Sequence, residues 1–149
     1  MRVSAAPDQR GKWKNGLIGG RPVKKKAVFR VLVLDDDRDN MLTLGVLLRS
    51  EGYVVHLTKN GVEALTVSGA FLPDVALLDL MMPGRNGFDV AEELQRRYGT
   101  GCPTLIAVSG HDSAENRQRA KTSGFQHFVK KPYDPQALLR LIESLDERT

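Results

Sequence analysis

The sequence predicts an α/β fold, a doubly wound sheet of five parallel strands wrapped by five helices. Two observations carry this. From Val28 onward, short apolar runs alternate with amphipathic stretches, as buried parallel strands and their crossover helices do. The runs are each four or five residues of mostly Val, Ile, Leu, Ala or Phe, too short to be core helices. Five βα units in succession give an open sheet with helices on both faces.

The predicted strands are 30–34, 54–57, 75–78, 104–108 and 126–129. The first helix begins after the Asp37-Arg38-Asp39 cap region, sets Met41, Leu44 and Leu48 at helical spacing, and stops near Gly52. Asn60 opens the second as its cap. The third follows Gly87, with Val90 and Leu94 four apart. A fourth, capped by Asp112 or Ser113, runs to Gly124 and has the weakest apolar stripe. The last begins at Asp134-Pro135, a cap followed by proline at the first helical position, and carries Leu138, Leu141, Ile142 and Leu145 at i, i+3, i+4 and i+7.

A chain of 149 residues holds one domain of ordinary size with its own core, not two. Hydrophobic residues at 41% and charged residues at 27% match soluble globular domains and argue against wholesale disorder or a fibrous class. Residues 28–147 are expected to be the folded unit. Residues 1–27, rich in Gly, Pro and Lys with little apolar periodicity, are expected to be a flexible basic N-terminal tail or linker. Residues 1–26 carry eight basic groups against Asp8 alone, a net charge of +7, which leaves −3 on the remainder. A basic tail on a mildly acidic body does not amount to a basic folded face, so no DNA-binding domain is expected. No apolar run approaches the roughly 18–20 residues of a membrane span, and no secretory signal opens the chain, so the expected setting is cytoplasmic. The single cysteine, Cys102, has no partner for a disulfide or a thiolate metal site and reads as a partly buried apolar side chain.

In open sheets of this kind, ligands and chemistry gather beyond the C-terminal ends of the strands. There the first strand ends in Asp35-Asp36-Asp37, the third in Asp79, the fourth in Ser109 and the fifth in Lys130-Lys131-Pro132. Carboxylates crowded at one edge repel one another unless a cation offsets them. Mg²⁺ suits this set, being a hard ion satisfied by two or three carboxylates, a carbonyl and waters. A carboxylate at Asp79 beside such an ion is suited to attack on phosphorus, with Lys131 stabilising charge on the transferring oxygens and Ser109 donating a hydrogen bond to one of them.

Four motifs in order now resemble the receiver domain of bacterial response regulators, CheY-like proteins of two-component and phosphorelay signalling. They are Val31-Leu32-Val33-Leu34-Asp35-Asp36-Asp37, the stretch from Pro73 to Gly87 that holds Asp79, then Ser109, then Lys131-Pro132. The separations of 43 positions from Asp36 to Asp79, 30 to Ser109 and 22 to Lys131 are similar to the family's. The resemblance covers about residues 28–147. It implies the flavodoxin-like strand order 2-1-3-4-5, and it implies that Asp79 is the phosphoacceptor. In this reading Asp36 is a direct Mg²⁺ (or Mn²⁺) ligand, Asp35 acts mainly through a metal-bound water, and the Met81 backbone carbonyl completes the protein ligands beside Asp79. Lys131 pairs with the phosphoryl group, Ser109 moves toward it, and Phe128 stands at the aromatic switch position. Lys131-Pro132 resembles the family's cis peptide, and Lys130 is left as a surface residue.

The implied partners are a histidine kinase or histidine phosphotransfer protein docking near the first helix, and an unknown downstream protein, since only four residues follow Leu145. The chain is expected to be a signalling phosphoacceptor and not an enzyme, with at most Mg-dependent self-phosphorylation and self-dephosphorylation. Phe128 lacks a tyrosine hydroxyl, so any inward state rests on burial alone; the alternative is a static core or surface aromatic. Gly110 replaces the alanine common after Ser109. Met81 and His111, each two positions beyond a site residue, are candidates for tuning phosphate lifetime. A degenerate receiver that docks without phosphorylation is the alternative. A phosphatase or flavodoxin of related topology is disfavoured, because Met81 stands where a second acid would be needed and no Gly-rich phosphate loop follows the first strand.

Overall fold

The structure is a computed structural model that describes residues 28–148, together with the backbone of two short pairs ahead of them. Those pairs, β1 (Leu17–Ile18) and β2 (Arg21–Pro22), form an antiparallel ladder with Leu17 opposite Pro22. The rest of the stretch expected to be a flexible tail, 1–27, lies outside the described residues.

The main sheet comprises β3 (Arg30–Leu34), β4 (Val54–Thr58), β5 (Val75–Asp79), β6 (Thr104–Ser109) and β7 (His127–Lys130). All neighbouring strands are parallel and the order is β4-β3-β5-β6-β7, which is 2-1-3-4-5 counted within this sheet. The helices are α1 (Arg38–Ser50), α2 (Gly61–Phe71), α3 (Gly87–Tyr98), α4 (Ala114–Thr122) and α5 (Pro135–Leu145), with a single 3-10 turn at Gly99–Gly101. The expected α/β doubly wound fold is thus present, with its five strands and five helices.

The apolar runs read as strands because both faces of this sheet are covered. Side chains alternate along each strand, so Val31 and Val33 join one core with α1 and α5. Leu32 and Leu34 join a second core with α2, α3 and Phe125. All five residues of β5 are buried, as expected of the central strand. Each fully buried Leu, Ile or Phe contributes roughly 1.5–3 kcal/mol relative to exposure. The amphipathic α5 buries Leu138, Leu139 and Ile142, while Leu141 and Leu145 only lean on the core, a rotation of the expected stripe by part of a turn.

The caps fall on the expected residues. The Asp37 side chain accepts from Asn40 N–H, Asn60 from Glu63 N–H and Asp134 from Gln136 N–H. Of the two candidates for α4, Ser113 caps, accepting from Asn116 N–H at 3.0 Å. Several boundaries move: β4, β5 and β6 each run one residue further, to Thr58, Asp79 and Ser109, and α4 and β7 shift as well. Helix α4 ends at Thr122, because the chain turns through Ser123 to Gly124 at φ +94°. Strand β7 starts at His127, since Gln126 pairs with Leu105 partly through its side chain: Gln126 N–H donates to Leu105 O (2.9 Å) and Leu105 N–H to Gln126 Oε1 (2.8 Å).

Space demands glycine at Gly87, as it does at Gly61 against the Arg85 carbonyl. A Cβ at Gly87 would stand 2.6 Å from Asp79 O, so the first turn of α3 can lie against the end of β5 only without a side chain there. Gly87→Ala is expected to cost about 1–3 kcal/mol, the usual penalty of forcing atoms into a packed contact, measured by urea denaturation.

Candidate functional site

Three carboxylates meet where β3 and β5 end at the C-terminal edge of the sheet. Asp35 and Asp79 are buried and Asp36 is exposed; ligand-bearing oxygens of all three lie within 4.8 Å of one another. The register places them there. Leu34 pairs with Leu78 across β3 and β5, so Asp35 and Asp79 leave adjacent strands at the same height.

Lys131 lies between the two buried acids. Its Nζ donates to Asp79 Oδ2 at 2.9 Å and lies 3.0 Å from the Asp35 carboxylate. Its backbone N–H donates to Ser109 O at 2.8 Å, and the peptide to Pro132 is cis, as expected. Lys130, the neighbouring lysine, is exposed at the end of β7 opposite Ser109.

Each acid is oriented by further donors. Asp35 Oδ1 accepts from Asp37 N–H (2.9 Å) and Oδ2 from Asn40 Nδ2 (3.2 Å). Asp79 Oδ1 accepts from Met81 N–H (3.0 Å). The loop beyond Asp79 is held by the capping box of α3, in which Asn86 Oδ1 accepts from Phe88 and Asp89 N–H while Asp89 accepts from Asn86 N–H. Burial pushes the Asp79 carboxyl above the usual aspartate range, with the Lys131 and Met81 hydrogen bonds offsetting only part of that rise. For Lys131 burial works against the ammonium, but the hydrogen bonds to Asp79 and Asp35 outweigh it and hold its pKa above the ordinary lysine value.

The remaining expected residues lie around this cluster. Ser109 is fully buried at the end of β6, its Oγ accepting from His111 N–H at 3.0 Å. Met81 is 58% exposed and His111 is also exposed, both on loops at the C-terminal edge. Phe128 is half-buried against the second core, and the Arg117 guanidinium sits 4.6 Å from its ring centroid. Cys102 is half-buried, and burial raises its thiol pKa. Sequence reasoning missed Asn40 and Arg117. Each acts across four or more residues on a polar helix surface, where residue type alone does not mark it.

A doubly wound sheet with three acids and one lysine converging at its C-terminal edge defines a receiver-type module, and comparison with known proteins gives the same class. The family profile described as "Response regulator receiver domain" matches residues 31–143. The chain belongs to that family of two-component signalling proteins. It is 30% identical over 116 residues to protein PilH of Pseudomonas aeruginosa, covering 78% of this chain and 96% of PilH. It is 36% identical over 120 residues to the response regulator MprA of Mycobacterium ulcerans, covering 80% of this chain but 51% of MprA. Among solved structures, a CheY-like receiver domain protein of Methanospirillum hungatei superposes with a TM-score of 0.74 at 28% identity, covering 82% of this chain and 97% of the other. Vibrio cholerae CheY4 superposes with a TM-score of 0.75 at 25% identity, covering 80% and 100%. Among the described residues, no helix is long and apolar enough to cross a membrane.

The raised pKa of Asp79 sets a sign. Its folded value lies above its unfolded one, so its contribution favours folding at pH below the unfolded value and is lost as pH rises through the folded value. At neutral pH the ionised group therefore weighs against the fold. Without divalent ions, Asp79→Asn is expected to raise stability at pH 7 by about 1 kcal/mol, within the usual range for relieving a strained functional site, and the gain should shrink toward pH 4. Urea melts at the two pH values check it.

Proposed function

We propose that Asp79 is a phosphoacceptor that takes a phosphoryl group from a phosphohistidine, and that the modified domain switches its protein partners. The observation that carries this is the contact of a buried carboxylate with Lys131 at 2.9 Å, beside two further acids. Attack by an Asp79 oxygen on phosphorus forms the acyl phosphate as the bond to the donor imidazole nitrogen breaks, its electron pair leaving with the imidazole. Lys131 then shifts from the carboxylate to a transferred oxygen, and Ser109 donates its hydroxyl to another.

The acids fit Mg²⁺ or Mn²⁺. Asp35 is the most heavily engaged of the three acids, accepting from Asp37 N–H, Asn40 Nδ2 and Lys131 Nζ, which supports an indirect role for it, while Asp36 is exposed. Asp36, Asp79 and the Met81 carbonyl would be the direct ligands. Bound there, such an ion would supply positive charge to offset the negative charge on transferring phosphoryl oxygens. Met81 and His111, exposed on the two loops at this edge, would control how water reaches the acyl phosphate. Loss of phosphate would then be self-catalysed hydrolysis, and the module a signalling device and not an enzyme with a turnover substrate.

In this reading Phe128 is the aromatic partner of Ser109 in the switch, residues 28–147 form the receiver unit, and its setting is cytoplasmic. The phosphodonor is a histidine kinase or histidine phosphotransfer protein. MtrA, another relative, is described as a DNA-binding response regulator, and the chain matches about half of its length. The output partner of this chain is a separate question from the chemistry at Asp79.

Incubation with Mg²⁺ and acetyl phosphate, followed by intact mass measurement, is expected to show one added phosphoryl group that Asp79→Ala abolishes. Lys131→Ala should slow the transfer by roughly 10²–10³-fold, the usual cost of removing one group that stabilises developing charge. No gain of mass, even from phosphohistidine donors, would instead leave a docking module that works without phosphorylation. Met81→Asn or His111→Glu leaving dephosphorylation unchanged would remove their assigned role.

A further inference from the structure

Helix α4 is fastened in an unusual way. Its sequence Ala-Glu-Asn-Arg-Gln-Arg-Ala-Lys-Thr buries only Ala120, so apolar packing contributes little to its position. Arginines do the fastening. Arg119 lies with its guanidinium carbon 3.8 Å from the centroid of buried Phe88, and Arg117 lies 4.6 Å from the centroid of Phe128. Arg117 has a second attachment: Nη2 donates to Asp112 Oδ2 at 3.0 Å and Nε donates to Oδ1 of the same carboxylate. One guanidinium therefore grips an acid of the β6–α4 loop through two N–H groups and lies over an aromatic ring of β7.

The loop end of this grip reaches the site in short steps. Asp112 follows His111, whose backbone N–H donates to Ser109 Oγ and whose carbonyl accepts from Asn116 Nδ2 at 3.0 Å. We propose that Arg117 is a latch joining the Ser109–Ser113 loop to the Phe128 ring, so that displacing either from its unphosphorylated position breaks one of the latch's two contacts. The inference rests on the phosphoacceptor reading of Asp79. For Ser109 to donate toward a phosphoryl group, its loop has to move, and Asp112 moves with it. Arg117 then either follows, uncovering the ring, or lets go of the acid. Both outcomes break a contact that exists in the unmodified chain, so the latch biases the equilibrium against the switched state. Arg117 is a positioning residue in this scheme, since it touches neither Asp79 nor the phosphoryl group.

The bias is small, because the Arg117 side chain is 51% exposed and water screens its pairing with Asp112. Arg117→Ala and Asp112→Asn are each expected to speed phosphorylation by acetyl phosphate with Mg²⁺ by about two- to fivefold, the range that an exposed guanidinium–ring contact supports. The double variant should be no faster than either single one, since both changes open the same latch. Arg117→Lys should behave like Arg117→Ala, because a lysine keeps the charge but not the planar fork. The second readout is NMR of phenylalanine ring resonances in the unphosphorylated protein, with Phe128 assigned from Phe128→Leu. Its signals are expected to shift in Arg117→Ala and also in Asp112→Asn, although Asp112 makes no ring contact.

A ring that ignores Asp112→Asn overturns the latch, as do unchanged rates or a lysine that restores wild-type behaviour. Wild-type protein that takes up no phosphoryl group overturns the Asp79 reading instead. The ring shifts then still decide whether Arg117 joins loop to ring.

Discussion

The acidic edge of this sheet depends on one ammonium group. Asp35 and Asp79 are both buried, with carboxylate oxygens close enough to repel strongly, and Lys131 Nζ stands 3.0 and 2.9 Å from them. Removing two such charges from water costs several kcal/mol each unless their partners are well placed. Lys131 offsets that cost, and its own burial is offset in turn by the two acids, which hold it charged. The arrangement is a compromise in which one cation serves two anions, and Asp79 still titrates above the ordinary aspartate range. The fold holds this partly uncompensated group in place at the sheet edge.

Main-chain geometry supplies the force. Lys130 closes β7 and Lys131 follows it directly, and side chains on extended chain alternate between faces, so a slip of one residue would exchange them. The pairing of Ser109 with Lys130 keeps that lysine in solvent, and the hydrogen bond from Lys131 N–H to Ser109 O brings the next one over the acids. On the other side, the Leu34–Leu78 register brings Asp35 level with Asp79. The closeness of α3, possible only because Gly87 has no side chain, fixes the exit from β5. The chemistry therefore rests on strand register, and register is held by two apolar cores that fill both faces of the sheet.

This dependence explains which parts were legible from residues alone. The inner strands β3, β5 and β6 were readable because burial on both faces leaves near-continuous apolar runs. Helix starts were readable because Asp37, Asn60 and Asp134 cap through their own side chains. Asp35, Asp36, Asp79, Ser109 and Lys131 could be nominated because they follow strand ends, and the sheet brings them to one edge. What could not be read was set by rotamer and neighbour. Gln126 takes a ladder position with its side chain and so delays β7 by a residue. Asn40 reaches back from the first turn of α1 to Asp35. The rotation of α5 that buries Leu139 and leaves Leu141 half-covered follows from what α1 and the sheet offer it, not from its own periodicity.

Helix α4 shows why a polar helix belongs beside such a site. Had it carried an apolar stripe like that of α5, each buried side chain would have tied it down by roughly 1.5–3 kcal/mol, and moving it would have meant opening a core. With Ala120 as its one buried residue, it rests on contacts made by long side chains at the surface, the arginines on Phe88 and Phe128 and Gln95 Nε2 on Ser123 O. Contacts of that kind are individually weak and can be exchanged without exposing apolar surface to water. A helix held this way can shift at a cost comparable to what a few hydrogen bonds at one carboxylate could supply. The low apolar content of α4, which makes it the least persuasive helix in the sequence, is thus also what leaves it held by surface contacts and not by a core.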